Sequence, residues 1–408
     1  MLRWPAFQKA WGGYRRFQLH REYDARREHY VDLARKRGLV YSEEKMISAV
    51  RDRLNQRGYI PQPRKVGEIH TFAFIPRIGW HSSLYPDLYE LGRVTEFDYG
   101  AHGFHWKDFL RADPRSLSDR RAMNDMVLPA LRAAHARAPV DWVFVYASGL
   151  EISANTIKQI TDELGIPTVN MCLDDKQSWA GKWMGDHRAG QVDLSMVFDL
   201  AWTSARVACE WYLVEGGRPI YMPEGFDMNT YRPTEIEQDI PVSFIGGEYG
   251  YRPSLVRYLR RNGIPVQTFG PGWPGSGWIG DIVEIINRSV INLGMGGIGY
   301  SENLTNVKAR DFEIPGTGGG AYLTSFNPDL AQHFVIGEEI LCYSNRDEML
   351  ELIRYYLTHP EEARVIARRG RRRCLDEHRW LHRYQHICRI LGILAEDKPV
   401  EDPKKNNI

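Results

Sequence analysis

The sequence predicts an α/β protein of two doubly wound domains in tandem, preceded by a basic helical extension. Three observations carry this prediction. Short apolar runs alternate with amphipathic helical segments from residue 70 onward. The alternation is interrupted once, by a polar stretch with two prolines at 224–241, and then restarts. Residues 1–65 hold sixteen Lys/Arg against seven Asp/Glu, a local charge of +9 in a chain of 408 residues whose total is +1.

The extension, residues 1–67, reads as helical. "SEEKMISAVRDRLNQRG" offers an N-cap at Ser42 and a stop at Gly58, the expected signals of a helix start and end. "GYIPQPRKVGE" follows as a linker. Trp4, Trp11, Tyr14 and Phe17 are interleaved with the cations. Such an arm reads either as a face for an anionic membrane or as a packing or oligomerisation element, since aromatic residues dock readily.

The first domain, 68–230, offers apolar runs at 70–76, 93–99, 140–148, 167–174, 199–204 and 219–223. Helical segments such as "SANTIKQITDELG" lie between them. Near-continuous apolar strands alternating with helices mean a parallel sheet covered on both faces. The second domain, 231–375, repeats the pattern with runs at 242–247, 265–270, 289–296, 321–326 and 339–344. The segment 360–394 reads as one long helix, whose last part, 376–395, is expected to cross back to the first domain. Residues 396–408 read as a disordered tail. In doubly wound sheets ligands bind outside the carboxyl ends of the strands, so two facing sheets place the site in the cleft between them.

Composition narrows the class. Hydrophobic residues make up 43% and charged residues 26%, as in ordinary globular chains. Five cysteines, an odd number with no CxxC, argue for a reduced cytosolic chain rather than a disulfide scaffold. No apolar run approaches the roughly 18 residues needed to span a bilayer, and the N-terminus lacks a signal-peptide core. A cytoplasmic protein is expected, peripheral at the inner face of the membrane if the arm binds lipid. Twelve Trp and twenty-one Tyr mostly pack cores; a minority is expected at sites for flat or sugar-like ligands.

The stretch "NLTNVKARDFEIPGTGGGAYLTSF", 303–326, carries the chemistry. It reads as a helix ending at Pro315-Gly316, a glycine run and a strand. On that helix Asn303, Asn306, Arg310 and Glu313 are spaced 3, 4 and 3 apart and share a face. Glu313 falls in the last turn, where the macrodipole disfavours a negative charge by roughly 0.3–1 kcal/mol. The glycines at 316, 318, 319 and 320 allow close backbone approach, and exposed N–H groups in such a turn bind anions. Lys308 adds a point charge suited to phosphate. A carboxylate for ribose hydroxyls with cations for a diphosphate is a nucleotide-sugar pattern.

At these residues the chain resembles a known family. "KARDFEIPGTGG" is similar to the second-domain signature of family 4 glycosyltransferases of the GT-B fold, in which a glutamate precedes a small-residue turn by five positions, as Glu313 precedes Gly318. "YMPEGFDMNTYRP" resembles the family's boundary motif, with Pro223, Gly225, Asp227 and Pro233 in place. The wording "VKARDFEIPGTGG" with "SFIGGEYGYRPSLVRYL" is most similar to the CgeB-like, spore-maturation-type branch. The resemblance spans roughly 68–392. It implies a nucleoside-diphosphate sugar in the second domain, with Glu313 on the ribose, Arg252 or Lys308 on the diphosphate, and Gly246 and Gly247 approaching it; Arg310, Asn306, Gly316, Gly318 and Gly319 are the further donor-binding candidates. No cofactor is expected, and no metal, because "DD" at 174–175 is not the D-x-D of metal-dependent transferases. One departure stands out: the family's second glutamate, seven residues before the first, is Asn306 here, which hydrogen-bonds a hydroxyl but balances no charge.

The resemblance places the acceptor (a glycan, a lipid-linked sugar or a small molecule) in the first domain. The loop "RIGWHSSLYP" sets Gly79, His81 and Ser82 at the sheet's carboxyl edge, and "CLDDKQSW" sets Asp174 and Asp175 there. One of these carboxylates or His81 is expected to take a proton from the acceptor hydroxyl; the alternative is that the aspartates cap a helix or turn.

Two further patterns have plainer explanations. Cys374, His378, His382 and His386 recur every four residues, a spacing that drifts about 40° per step on a helix of 3.6 residues per turn, so all four cannot converge on a metal. "RRGRRR", 368–373, reads as a solvated helix face, and no nucleic-acid partner is expected. The expected activity is transfer of a sugar to a hydroxyl, which the resemblance implies to be retaining. The alternatives are a nucleotide-sugar 2-epimerase on the same fold and a non-catalytic scaffold that uses the basic arm.

Overall fold

The structure, a computed structural model, describes residues 5–395 apart from residue 112 and residues 185–186, 275–280 and 299–300. The expected tail at 396–408 lies outside the described residues. Six parallel strands form the first sheet: β1 (Ile69–Phe74), β2 (Gly92–Glu96), β3 (Trp142–Val145), β4 (Thr168–Cys172), β5 (Leu200–Thr203) and β6 (Pro219–Tyr221). Their spatial order is β2-β1-β3-β4-β5-β6. Five more parallel strands form the second: β7 (Ile240–Ile245), β8 (Val266–Phe269), β9 (Ser289–Leu293), β10 (Ala321–Ser325) and β11 (Leu341–Tyr343), in the order β8-β7-β9-β10-β11. Each strand read from the sequence is present. Two short antiparallel hairpins, Lys182–Met184 with His187–Ala189 and Gly297–Ile298 with Ser301–Thr305, were not expected.

Both sheets reverse winding direction next to their first strand, between β1 and β3 and between β7 and β9. Such switch points open a crevice at the carboxyl edge. β1, β3 and β4 are buried along their whole length, as their unbroken apolar runs require.

The basic extension packs on the first domain. Its helices are Pro5–Lys36 and Glu43–Gln56, the second capped by Ser42, whose hydroxyl accepts the Lys45 N–H. Tyr30 lies against Trp179 and Trp211 and donates to Glu215 at 2.7 Å. Arg53 and Arg57 each reach the buried Asp199 at 2.9 Å, and Asp199 also accepts the Thr168 N–H. Removing a guanidinium would leave that carboxylate short of a partner in the interior, a costly state. Residues 26–57 of the arm thus pack on the first domain; Phe17 is exposed, and the side chains of Trp4, Trp11 and Tyr14 lie outside the described residues.

The structure corrects two helix assignments. The segment 303–313 is not one helix: Ser301–Thr305 is a strand, and the helix runs Arg310–Thr317. Asn303, Thr305, Asn306 and Val307 are weak helix formers, and the 3-4-3 spacing of polar residues spans an element boundary. Glu313 thus sits in the first turn, where the positive end of the helix favours it, and the puzzle of a misplaced charge disappears. Pro315 and Gly316 lie inside the helix, and Gly318, at φ +72°, ends it.

The second correction concerns 360–394, which is two helices, Pro360–Glu377 and Trp380–Ile390. The break at His378-Arg379 is fixed by contacts. The His378 ring bonds the His333 carbonyl at 2.9 Å, and Arg379 reaches across to Asp87 at 2.7 Å. Beyond the break, Trp380, Leu381, Tyr384 and Ile387 enter the core of the first domain. Cys374 faces the Phe312 carbonyl, the His382 ring accepts the Arg379 N–H, and His386 pairs with Glu43. Each side chain of the four-residue series therefore has its own separate partner. The "RRGRRR" run is similarly engaged: Arg371 donates to the Gly316 carbonyl and Arg373 pairs with Glu339.

Candidate functional site

The carboxyl edges of the two sheets face each other across a cleft of about 540 Å³, a size suited to a small ligand. From the first domain come Trp80 after β1, Tyr146 after β3, Asp174 and Gln177 after β4, and Glu224 after β6. From the second come Gly246, Tyr249 and Arg252 after β7, Gly294 and Gly296 after β9, and Lys308, Arg310, Asp311 and Glu313 around the start of the Arg310–Thr317 helix.

Lys308 links the two walls. Its ammonium donates to the Leu173 carbonyl at 2.8 Å and to Asp174 at 2.9 Å. Burial works against its charge, but Glu224 and Asp174 outweigh that and hold its pKa above the usual lysine value. Asp311 anchors the turn below: it accepts the Lys308 N–H at 2.8 Å and the Tyr322 hydroxyl at 2.7 Å. Burial pushes its carboxyl up to about 6 despite those bonds. Arg310 pairs with Glu313, which is buried at the cleft wall, and lies 3.5 Å from the Tyr231 hydroxyl.

Arg252 sits over the Tyr249 ring, 3.9 Å from its centroid, and donates to the Gly247 carbonyl at 3.2 Å. Its Nε has no hydrogen-bond partner among the described residues. Gly246 makes room for it: a Cβ there would lie 3.3 Å from the guanidinium and 3.0 Å from the Phe244 ring. The need for a glycine at this point is steric.

The residues singled out from sequence divide into two groups. Asp174, Gly246, Arg252, Lys308, Arg310 and Glu313 line one cleft; Gly247 touches it through its carbonyl's bond to Arg252. The others lie off it. Asp175 is fully buried, accepts hydroxyls from Thr203 and Tyr212, and is pushed up to about 6 by burial; it holds β4 to β5 and the Arg206–Val214 helix. His81 stands behind Trp80 and Tyr146, edge-on to both rings, with Nδ1 at 3.1 Å from the Pro76 carbonyl. Burial lowers its pKa. Ser82 is tied to the Gly79 carbonyl of its own turn, and Asn306 is buried outside the cleft lining.

The glycine run is also placed away from the cleft. A Cβ on Gly316 would meet the Phe226 ring at 2.6 Å, one on Gly318 the Arg371 chain at 2.8 Å, and one on Gly319 the Asn287 backbone at 2.5 Å. These glycines let the helix pack against the boundary segment and its neighbours. Sequence reasoning passed over Trp80, Tyr146, Tyr231, Glu224 and Asp311. Trp80 and Glu224 lay inside quoted segments, each in the loop that follows a strand; a large or charged residue at that edge was the available signal.

With this geometry in view, comparisons define the class. Residues 252–389 match a family model described as glycosyl transferase-like. Solved structures with the same two-domain arrangement include sucrose-phosphate synthase from Thermosynechococcus elongatus, at TM-score 0.52 and 12% identity, covering 79% of this chain and 99% of that one. Anabaena HepE in complex with UDP-glucose gives TM-score 0.51 and 11% identity over 80% of this chain and 100% of that one. A glycosyltransferase from Rickettsia africae gives 0.50 and 9% over 79% and 99%. A comparison with curated protein sequences gives no match. The chain has the GT-B fold, two Rossmann-like domains facing across a cleft, and its second domain carries a glycosyl transferase-like sequence pattern. Among the described residues no helix is long and apolar enough to cross a membrane.

Proposed function

We propose that the protein is a glycosyltransferase that moves a sugar from a nucleoside-diphosphate sugar to a hydroxyl of a glycan, a lipid-linked sugar or a small molecule. The observation that carries this reading is the second domain's wall of the cleft: a buried carboxylate, Glu313, grouped with Arg310, Lys308 and Arg252 at a topological switch point. Glu313 would hold the ribose hydroxyls, and the three cations the diphosphate. The leaving diphosphate develops charge as the bond to the sugar breaks, and fixed cations in a partly dry cleft stabilise it. Their charge can do the work a metal would do, so we propose transfer without one; a rate unchanged by EDTA is the expected result. UDP-glucose in the HepE complex makes uridine donors the first to try. The motifs favour the CgeB-like branch and retention of configuration, which the anomeric proton signal of the product will read.

On the first domain's side, Asp174 is the proton acceptor or sugar contact of choice, because it faces the cleft while Asp175 does not. The test is a thermal-shift screen of the full chain with UDP, GDP, dTDP and their sugars. A ligand at a hundredfold excess over Kd stabilises by about 2.7 kcal/mol. We expect a shift with one base, and transfer or slow hydrolysis of its sugar. No shift with any of them would overturn the reading.

A further inference from the structure

Glu224 and Asp311 are the carboxyls in the cleft that the reading above does not use, and Asp311 is already held by the Lys308 N–H and the Tyr322 hydroxyl. Glu224 lies in the loop that follows β6 and is 3% exposed, and its Oε2 has no hydrogen-bond partner among the described residues. The carboxyl accepts the Ala309 N–H, but a buried polar atom without a partner, as Oε2 is, calls for an explanation, and at a cleft wall a ligand can supply one. The groups around it come from every neighbouring element. Tyr146 and Asp174 approach from the first sheet, Lys308 and Asp311 from the second domain, and Arg383, which donates to the Glu224 carbonyl, from the last helix.

We propose that Glu224 binds the donor's diphosphate as a neutral carboxylic acid, giving its O–H to a phosphate oxygen beside the Lys308 ammonium. This rests on the donor reading above. An ionised carboxylate there would repel the phosphates, whereas a protonated one adds a donor to a wall that already carries three cations. Burial favours the protonated form, pushing the group up to about 8 against the pull of Lys308. A carboxylic acid kept neutral by its surroundings so that it can donate is an established device in active sites. Binding an anion beside it then holds the proton more firmly, so affinity and protonation are linked.

The sign follows directly. Above about pH 8 the free protein loses the Glu224 proton and must regain it to bind, so affinity falls as pH rises. For a group titrating near 8, the loss between pH 7 and 9.5 is about thirtyfold. Lys176, which burial lowers to about 8, lies beyond Asp174 and would weaken anion binding over the same range, so it needs its own control. The experiment is calorimetric titration of UDP and GDP into the full chain from pH 6 to 9.5. It compares wild type, Glu224→Gln and Lys176→Met, each at matched ionic strength and in two buffers of different ionisation enthalpy.

We expect Glu224→Gln, whose amide still donates, to keep neutral-pH affinity within threefold and to lose the thirtyfold fall. Wild type and Lys176→Met should keep the fall and take up most of one proton on binding at pH 8.5. Equal pH slopes in wild type and Glu224→Gln, a flat profile in Lys176→Met, or negligible proton uptake by wild type would each overturn the proposal. Failure of wild type to bind either nucleotide at any pH would instead remove the donor reading itself, and this inference with it.

Discussion

The two walls of the cleft differ in kind. The first domain presents rings, Trp80, 42% exposed and stacked over Trp380, and beside it Tyr146, with the carboxyls of Asp174 and Glu224 but no cation among the described lining residues. The second presents charge, with Arg252, Lys308 and Arg310 set among Glu313 and Asp311. On the proposed function, the charged wall would take the nucleoside diphosphate and the ringed wall the apolar faces of a sugar or another neutral acceptor. Lys308 is the point where they meet, since its ammonium binds Leu173 and Asp174 of the opposite domain. A diphosphate bound at Lys308 would compete for that contact.

The sharpest way to break the comparison is Glu313→Ala. Losing charged hydrogen bonds to two hydroxyls should weaken nucleoside-diphosphate binding by about 3 kcal/mol, at least a hundredfold, measured by calorimetry. Glu313→Gln should retain part of it. Unchanged affinity would move the ribose elsewhere. Lys308→Met comes next: about a tenfold to hundredfold loss for the diphosphate and little change for the free nucleoside. Equal losses for both would mean that the lysine shapes the cleft rather than binding phosphate.

Asp174 and Asp175 sharpen the comparison at neighbouring positions. Asp175→Asn should cost roughly 1–3 kcal/mol of stability in denaturant with donor affinity unchanged, while Asp174→Asn should slow transfer with stability nearly unchanged. The pH dependence has a definite sign. Burial raises Asp175 to about 6, so the native state keeps a proton that the unfolded chain releases near pH 3.9. This group's contribution to stability is fullest below about pH 4 and declines as pH rises to 6; Asp175→Asn should lack that decline. The smallest expected effect is Trp80→Ala, which should raise the KM for acceptor by roughly tenfold and leave the Kd for donor alone. A change in donor affinity instead would dissolve the distinction between the walls.

Much of the fold was legible because buried parallel strands must be continuously apolar, and their spacing showed through without tertiary information. The extension's helix start at Ser42 was equally plain, since a cap is a local device. The site was legible only where chemistry and register coincided, as at Glu313, Lys308 and Arg252. Polar spacing misled at Asn303 and Asn306 because a wheel assumes a helix that the weak formers between them do not make. The glycine run misled for a different reason. Glycine marks any close approach, and here Phe226, Arg371 and Asn287 make that approach. Nothing local separates Asp174 from Asp175; only the burial of Thr203 and Tyr212 beside the second one does. Glu224 was hidden inside a boundary motif whose other residues drew the reading.

The most direct test of the central claim is a crystal structure of the full chain with the nucleoside diphosphate that gives the largest thermal shift. The account predicts the ribose hydroxyls within hydrogen-bond distance of Glu313 and the phosphates among Arg252, Lys308 and Glu224. A nucleotide bound outside this cleft, or one whose ribose makes no contact with Glu313, would contradict it.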